Sequence, residues 1–493
     1  MTFQDTNPIS SNSEAILSAP TSTKQKPFTN DPYEFAFYQI VDAVNKSLST
    51  HEAELGTKLY FSLSLAGEDS QFTRFSRAKI RQTGQVCDGE IRLTLIASKA
   101  SNDPAASLEY QTASTKLPFA GNFAVDWSLI QPSLNLLRQE LRELPSDPYV
   151  VLPTPRTPRH TREVNDSQLL ATSEVARTLL EPVQDLDFSG LYAGGLSYRA
   201  YADSAGNRHW FKTYSFTLDY SLFGSQPNQA VKGTLAGHSW SGQAYDDAIT
   251  ASKKQLQLLE KPTKALPRGR YRTYLAPAAV ADLLDTIVWG GLGEAALRQG
   301  NSAFHRLESG EVSLSEKFSL SEDFQRISIP RFNDSGEIAP LQLPVIQKGH
   351  WETSLVNGRS AQEYNKPSNG ASAAESMRAP VVAPGDLSEN QILAELGTGL
   401  YISNLHYLNW SDLTAGRITG MTRYACFWVE AGEIVAPIEN LRFDDDLYRF
   451  LGEGLLALTQ AQTFIPEVGT YDRRSLGGMW MPGMLIDQFR YTL

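Results

Sequence analysis

The sequence predicts a mixed α+β protein in which antiparallel strands predominate. Apolar residues recur at helical spacing after residue 31, which indicates an amphipathic helix. Short runs of alternating apolar and polar residues between 59 and 97 are typical of antiparallel strands with one solvated face. Residues 427–429 and 433–435 flank Ala431-Gly432, which reads as the turn of a tight β-hairpin. A chain of 493 residues exceeds one ordinary core, so we expect two or three domains.

The first ordered unit is predicted over residues 31–150, as an N-terminal α/β domain with an antiparallel sheet. Asp31 followed by Pro32 indicates a helix start, because Asp caps the first turn and Pro fits its first position. Apolar residues at helical spacing define the buried face of this helix: Phe37, Ile40, Val41, Val44 and Leu48. Further elements are predicted as strands at 59–65, 72–82 and 89–97 and as a helix at 128–144.

Other segments follow from composition and turn residues. Residues 1–30 are rich in Ser, Thr, Asn and Pro and lack the pattern of a secretion signal, so we expect a disordered tail. Residues 151–166 contain three prolines and several charges, which indicates an extended linker. A small middle α+β domain is predicted over 167–267, with two helices and a hairpin. A β-rich C-terminal domain is predicted over 268–493, with one long helix at 277–298.

Composition limits the classes of partner. An apolar fraction of 41 % with 20 % charged residues is that of a globular protein, and the net charge of −11 argues against nucleic acid as the main partner. Arg74, Arg77, Lys79 and Arg81 cluster in sequence, and we interpret them as the solvated face of a strand. Two distant cysteines form no disulfide framework, and no apolar run reaches the roughly 18 residues of a membrane helix. We therefore expect a cytoplasmic protein without membrane contact.

A group of C-terminal motifs carries a family resemblance. Gly399-Leu-Tyr-Ile, Thr419-Gly-Met-Thr-Arg and Phe427-Trp-Val-Glu-Ala-Gly-Glu-Ile, followed by Leu441-Arg-Phe, resemble the C-terminal signature of the TldD/PmbA family. This family is the two-subunit bacterial metalloprotease system also called TldD–TldE, whose members also carry the name modulator of DNA gyrase. The resemblance extends more loosely back to about residue 31. It implies a C-terminal domain of the TldD/PmbA type.

The resemblance also implies where metal ligands would lie. TldD subunits carry a His-Glu-x-x-x-His motif on a helix and a cysteine near the C-terminus, which hold and use Zn²⁺. Matching residues 300–304 to the family places other residue types at these positions: Asp285 and Gly290 for the histidines, Thr286 for the glutamate and Tyr471 for the cysteine. No histidine lies between His238 and His305. The resemblance therefore implies no catalytic residue, metal ligand or cofactor in this chain, with zinc expected in a TldD-like partner.

Two residues of the signature admit more than one interpretation. His406 is a candidate substrate contact together with Tyr407 and Arg423, but it also fits a hydrogen-bonded histidine at the end of a strand. Cys426 follows Arg423, and a cation lowers a thiol pKa, yet its apolar neighbours favour an inert small side chain. A zinc site assembled from distant segments stays open, since no two of the seven histidines lie within one helical turn.

The function implied by the resemblance is that of a TldE/PmbA-like subunit. Such a subunit binds peptides or unfolded small proteins and assembles, as a homodimer or heterodimer, with a TldD-like metalloprotease that cuts them. Two alternatives stay open. One is a stand-alone, non-proteolytic peptide-binding protein of the same fold, and the other is a metallopeptidase with relocated ligands.

Overall fold

The computed structural model describes residues 31–55, 58–99, 109–226, 229–289 and 291–492. The predicted disordered tail, 1–30, lies outside the described residues. Within the described ranges, no helix is long and apolar enough to cross a membrane. The described chain forms two sheets, one of seven and one of thirteen strands, and helices pack against them.

The first sheet is built by the N-terminal half of the chain. Its elements are, in chain order, α1 Pro32–Leu55, β1 Leu59–Ser76, β2 Lys79–Lys99, β3 Glu109–Pro118, α2 Phe123–Glu140, β4 His160–Asn165, α3 Thr172–Leu180, β5 Asp187–Asp203, β6 Arg208–Phe223, β7 Ala230–Gly237 and α4 Gly242–Leu259. The strand order is β3-β2-β1-β5-β6-β4, and β7 pairs with another part of β6. The pairing of β4 with β6 is parallel, and the other pairings in this sheet are antiparallel.

Helix α1 starts where the sequence predicts. The Asp31 carboxylate accepts hydrogen bonds from the main-chain N–H groups of Tyr33 and Glu34, at 3.1 and 3.3 Å. All members of the predicted apolar face are buried, and they pack with α2 against one face of the first sheet. Because the two helices cover one face of the first sheet, its opposite face is turned toward the C-terminal half.

Strands β1 and β2 correct the prediction of three strands between 59 and 97. They form one long hairpin, in which Leu59 pairs with Ala97 and Ser76 with Lys79. The turn residues Arg77 and Ala78 have φ angles of 51° and 52°, which a two-residue hairpin turn requires but which these residue types do not announce. The basic cluster, which includes Arg77 of this turn, lies at the hairpin tip, where its four side chains are exposed.

The first sheet spans the predicted N-terminal and middle domains. Strand β1 pairs with β5 from Ser62–Asp203 to Phe75–Gly190, so the two segments share one continuous sheet. Strand β4 lies inside the predicted linker, 151–166, and pairs with β6. The exact domain boundaries stay a prediction.

The second sheet is built by the C-terminal half. Its elements are β8 Gly269–Leu275, α5 Pro277–Val288, α6 Glu294–Arg298, α7 His305–Glu308, β9 Leu320–Asp323, β10 Gln342–Gln347, β11 His350–Trp351, α8 Gly358–Glu363, β12 Pro380–Val382, α9 Ile392–Leu396, β13 Gly399–Ile402, β14 Asn404–Asp412, β15 Arg417–Arg423, β16 Phe427–Glu430, β17 Glu433–Pro437, β18 Arg442–Asp446, α10 Leu447–Phe450, β19 Leu455–Pro466 and β20 Gly478–Tyr491. Strand β20 is central, since it pairs with β8, β12, β18 and β19.

The helix predicted at 277–298 is interrupted. It forms α5 and α6, because Trp289 adopts an extended conformation, with φ −67° and ψ 97°, and ends α5. The main-chain N–H of Glu294 then bonds to the carbonyl of Leu355 outside the helix. As a result, the end of α5 and the side chain of Trp289 lie at the surface of the C-terminal domain.

Candidate functional site

Helix α5 separates an apolar face from a polar one. Its apolar face packs into the main core of the second sheet through Val280, Leu283, Leu284 and Ile287. Its polar face carries Asp282, Asp285 and Thr286 at helical spacing, which places them together. They line a cavity of about 350 Å³, here called the acidic cavity, whose other walls include His406, Tyr407 and Glu467. Four residues singled out from the sequence therefore meet in one place.

Strand β14 contributes an irregular wall to the acidic cavity. The pairing of β14 with β15 shifts between His406 and Asn409, so Tyr407 is in the irregular part of the strand. Tyr407 has a φ of 52°, which is strained for a residue with a side chain, and its side chain is 73 % exposed. Its ring lies 4.0 Å from that of His406, centroid to centroid. Strained backbone and an exposed aromatic ring are features of ligand-binding sites.

A second, larger cavity continues from the first. This central cavity, of about 550 Å³, shares Asp285, Glu467, Gly478 and Met479 with the acidic cavity and is also lined by Trp289. Two of the three most exposed large apolar side chains of the described chain line these cavities: Tyr407, 73 % exposed, and Trp289, 72 % exposed; the third, Tyr471, is 100 % exposed. Tyr471 does not line either cavity, but it follows Glu467 by four residues. Such a group of exposed aromatic side chains indicates a binding surface.

Two carboxylates of the acidic cavity, those of Asp282 and Asp285, resist ionisation. Burial raises the pKa of Asp282 to about 6, although its carboxylate accepts a hydrogen bond from the main-chain N–H of Leu405 at 2.9 Å. Loss of surrounding water, followed by the charge of Glu467, raises the pKa of Asp285. The cavity therefore brings several carboxylates together, and the charge of Lys232 offsets only part of the effect of burial on Asp282.

The imidazole of His406 is favoured in its neutral form. Partial burial lowers its pKa, and the positive charges of Arg423 and Lys232 lower it further. Arg423 pairs with Asn404 on β14, two residues from His406 and on the same face. Arg423 does not line the acidic cavity, and its guanidinium lies 5.1 Å from the ring centroid of Tyr424. The role of His406, Tyr407 and Arg423 as substrate contacts stays a prediction.

The residues at the family's metal positions do not fit zinc. Thr286 offers a hydroxyl and Tyr471 a fully exposed phenol, whereas Zn²⁺ in such sites takes imidazole and thiolate ligands. Asp285 is a carboxylate whose raised pKa opposes the charged form that a metal binds. Among the residues that the structure describes, no three His, Cys, Asp or Glu side chains converge as a metal-binding group. Gly290 lies outside the described residues.

Cys426 and Glu294 carry side chains capable of catalysis, but both lie in surroundings typical of residues that stabilise the fold. Cys426 is buried, its S–H donates to the carbonyl of Arg423, and burial raises its pKa to about 11, as expected of an inert thiol. Glu294 is buried and bonded to Arg298, Lys366 and Ser354, away from Asp285. Neither residue adds a reactive group to the cleft that the acidic cavity and the central cavity form together.

Some residues of the cleft were not singled out from the sequence. Trp289, Glu467, Arg199 and Arg378 all line the central cavity. Arg199 lies on β5, and Arg378 lies just before β12, so no spacing within the sequence connects them. Of these four residues, only Trp289 could have been identified from the sequence, because it is an apolar residue next to the polar face of a predicted helix.

Comparison with known proteins identifies the fold. Residues 268–492 match the family model of the PmbA/TldA metallopeptidase C-terminal domain. No curated protein sequence matches the chain. The crystal structure of TldE from Thermococcus kodakarensis superposes with a TM-score of 0.69 at 12 % identity, covering 93 % of this chain and 100 % of that one.

Two bacterial structures agree with that result. A candidate modulator of a DNA gyrase from Thermotoga maritima gives a TM-score of 0.70 at 12 % identity, with 92 % of this chain and 100 % of that chain covered. A candidate modulator of DNA gyrase from Bacteroides thetaiotaomicron gives 0.66 at 15 % identity, with 92 % and 98 % covered. These comparisons confirm the resemblance to the TldD/PmbA family and the α+β fold rich in antiparallel strands.

Proposed function

We propose that this chain, whose C-terminal half belongs to the PmbA/TldA metallopeptidase C-terminal domain family, is a TldE/PmbA-like subunit that holds peptides for a TldD-like metalloprotease. The observation that carries the proposal is the polar face of α5. It lines a cleft, but Asp285 and Thr286 stand there in place of the ligand and base types that bind zinc and activate water. A chain of this design contributes binding and assembly, and its partner contributes hydrolysis.

The cleft has properties that suit a peptide. Tyr407 and Trp289 line the cleft with exposed aromatic surface, which binds many side chains without strict sequence preference. The neutral imidazole of His406 can donate to or accept from a peptide main chain. An unfolded small protein would present the same groups as a peptide, so it is included in the substrate class.

The free edge of β2 is a candidate surface for the partner. Among the described residues, β3 pairs with β2 only from Glu90 to Lys99, and the N–H of Phe119 bonds to the carbonyl of Gly89, so residues 79–88 pair with β1 alone. An open edge accepts a strand from a second chain through main-chain hydrogen bonds. Ile80 and Val86 on this segment are 51 % and 38 % exposed, which adds apolar area to such a contact.

Affinity purification from the native host tests the proposal. We expect a protein with a His-Glu-x-x-x-His motif to co-purify under mild conditions, and zinc to follow that protein rather than this chain. Val86→Lys should reduce co-purification, because lysine on a sheet edge opposes strand addition. Val125→Lys, which places the same charge on the exposed surface of α2, is the matched control. Absence of any such partner would contradict the subunit assignment.

The same samples separate the two alternatives. A stand-alone peptide-binding protein would bind peptides but would purify without a metalloprotease. A metallopeptidase with relocated ligands would keep stoichiometric zinc after dialysis and would hydrolyse peptides until treated with a chelator. The proposed subunit, purified alone, should bind peptides but should neither retain zinc nor hydrolyse them.

A further inference from the structure

A third cavity lies between the two halves of the protein and is unusually basic. This cationic cavity, of about 360 Å³, is bounded by the open face of the first sheet and by loops of the C-terminal half. Its charged lining residues are Arg92, Lys116, Arg199, Arg378, Glu90 and Asp334. Four cationic side chains thus face two carboxylates, in a chain whose net charge is −11. The local charge is opposite in sign to that of the whole protein.

Two of these cations are held in place by neutral groups. The guanidinium of Arg199 donates to the carbonyls of Gly67 and Tyr198, at 3.2 and 2.8 Å. That of Arg378 donates to four main-chain carbonyls, including those of Pro330 and Gly370. Within the described part of the chain, neither guanidinium lies within ion-pair distance of a carboxylate. Carbonyl groups orient the two side chains, and the carboxylate of Asp334, which lies beyond ion-pair distance, offsets part of the charge of both.

The two remaining cations are nearer to solvent. Lys116 forms an ion pair with Glu90 at 2.8 Å, in which both side chains keep contact with water. Arg92 is exposed, and in the described ranges its guanidinium makes no hydrogen bond or ion pair. Arg92 can therefore turn toward a ligand without breaking an existing contact.

The cationic cavity is continuous with the rest of the cleft. It shares Arg199, Pro330 and Arg378 with the central cavity, which in turn shares Asp285 and Glu467 with the acidic cavity. A ligand in the cleft would meet carboxylates at one end and guanidinium groups at the other. An anionic group would be repelled from the first end and attracted to the second.

We propose that the cationic cavity binds a carboxylate of the peptide held in the cleft, and so fixes the direction in which that peptide lies. The inference rests on the proposed function, because it assumes that the occupant is a peptide. The planar guanidinium groups of Arg92 and Arg199 match the geometry of a carboxylate, and half-buried surroundings strengthen the attraction. The carboxylate comes from the C-terminus of the peptide or from an acidic side chain close to it.

Peptide binding by the purified chain tests this inference. Three fluorescent peptides share one neutral sequence: the first ends in a free carboxylate, the second in an amide, and the third in an amide with a glutamate before it. Fluorescence anisotropy should give an affinity at least tenfold higher for the free acid than for the plain amide. If the third peptide binds as well as the first, the cavity accepts a carboxylate from either the chain terminus or an acidic side chain; if it binds like the second, the cavity accepts only the chain terminus.

Substitutions of individual cations test whether the preference for the free-acid peptide arises in the cationic cavity. Arg92→Gln should lower the affinity for the free acid by about threefold to tenfold, and it should leave the plain amide unaffected. Lys254→Gln removes an exposed charge on α4 and serves as the matched control, with no change expected. Arg199→Gln should act more strongly, and circular dichroism would establish that it is folded. Because Arg92 is exposed, its variant keeps the test valid even if Arg199→Gln unfolds.

The outcomes distinguish this inference from the proposed function. Equal affinity for acid and amide peptides, or no binding of any peptide, would overturn the carboxylate site but leave a partnership with a metalloprotease intact. Conversely, a chain that purifies without such a partner, yet prefers the free acid and loses that preference in Arg92→Gln, would keep the carboxylate site and lose the subunit role.

Discussion

The main-chain N–H of Arg474 donates to the carboxylate of Glu68 at 3.3 Å, and this contact joins the C-terminal half to the first sheet. The guanidinium of Arg474 also donates to the hydroxyl groups of Ser215 and Ser197, at 2.7 and 3.0 Å. Arg474 is 1 % exposed and Glu68 2 %. Burial lowers the pKa of Arg474 to about 10, which still leaves it charged at neutral pH. A buried cation therefore holds the two walls of the cleft together.

We expect Arg474→Met to lower the free energy of unfolding by about 3 kcal/mol, because it removes the cation that faces the buried Glu68. Urea unfolding followed by circular dichroism measures the change. Arg81→Met, at the exposed tip of the β1–β2 hairpin, is the matched control and should change this free energy by less than about 0.5 kcal/mol. A similarly small loss for Arg474→Met would show that other contacts join the two halves.

The side chain of Tyr407 should lower the stability of the protein and increase its affinity for peptides. Its φ of 52° costs about 1 kcal/mol for a residue with a side chain, and its ring is largely exposed. Tyr407→Gly should therefore raise the free energy of unfolding by up to about 1 kcal/mol, partly offset by the greater freedom of glycine in the unfolded chain. The same variant should bind the free-acid peptide more weakly.

Tyr407→Ala separates the two effects. It removes the aromatic ring but keeps a Cβ at the strained position, so peptide affinity should fall without a gain in stability. If Tyr407→Gly proves less stable than the parent in urea unfolding, the ring packs more closely than its exposure indicates.

Trp289 should matter for binding and little for folding. With 72 % of its surface exposed, Trp289→Ala should leave the free energy of unfolding within about 0.5 kcal/mol of the parent value. Large aromatic side chains at the centre of a binding surface contribute about 2 kcal/mol or more, so peptide affinity should fall at least tenfold. Leu136→Ala, at an exposed site on α2, is the matched control for anisotropy and unfolding. Unchanged affinity in Trp289→Ala would place the peptide elsewhere.

The sequence correctly predicted those features that depend only on a few neighbouring residues, such as a helix cap or a tight turn. The cap at Asp31 and the Ala431-Gly432 turn, with φ angles of 50° and 82°, are both present. By contrast, the predicted strand at 72–82 runs through the turn at Arg77-Ala78, because neither residue type signals positive φ. Strand β3 has no strong alternation and was not predicted. Turn chemistry therefore limited the prediction of the fold more than strand propensity did.

The cleft was less predictable because tertiary pairing assembles it. Asp285 and Thr286 were located only through the family resemblance, and His406 through its place in the signature. Their meeting in one cavity depends on the packing of α5 beside β14 and of the segment after β19. The cationic end depends on β5 of the first sheet facing a loop of the second half. No spacing within a single sequence encodes such contacts between distant segments.

Asp282 should make stability depend on pH. Because burial raises its pKa to about 6, above the ordinary value of 3.8, the folded protein holds this proton more tightly than the unfolded chain. The stabilisation that this proton provides is fully present below about pH 4 and is lost as the pH rises from about 4 through about 6, a loss of about 3 kcal/mol. Asp282→Asn cannot ionise, so the variant should be more stable relative to the parent at pH 7.5 than at pH 4.5 in urea unfolding. Asp246→Asn, at an exposed site on α4, should show no such difference, and equal behaviour of both variants would contradict a raised pKa at Asp282.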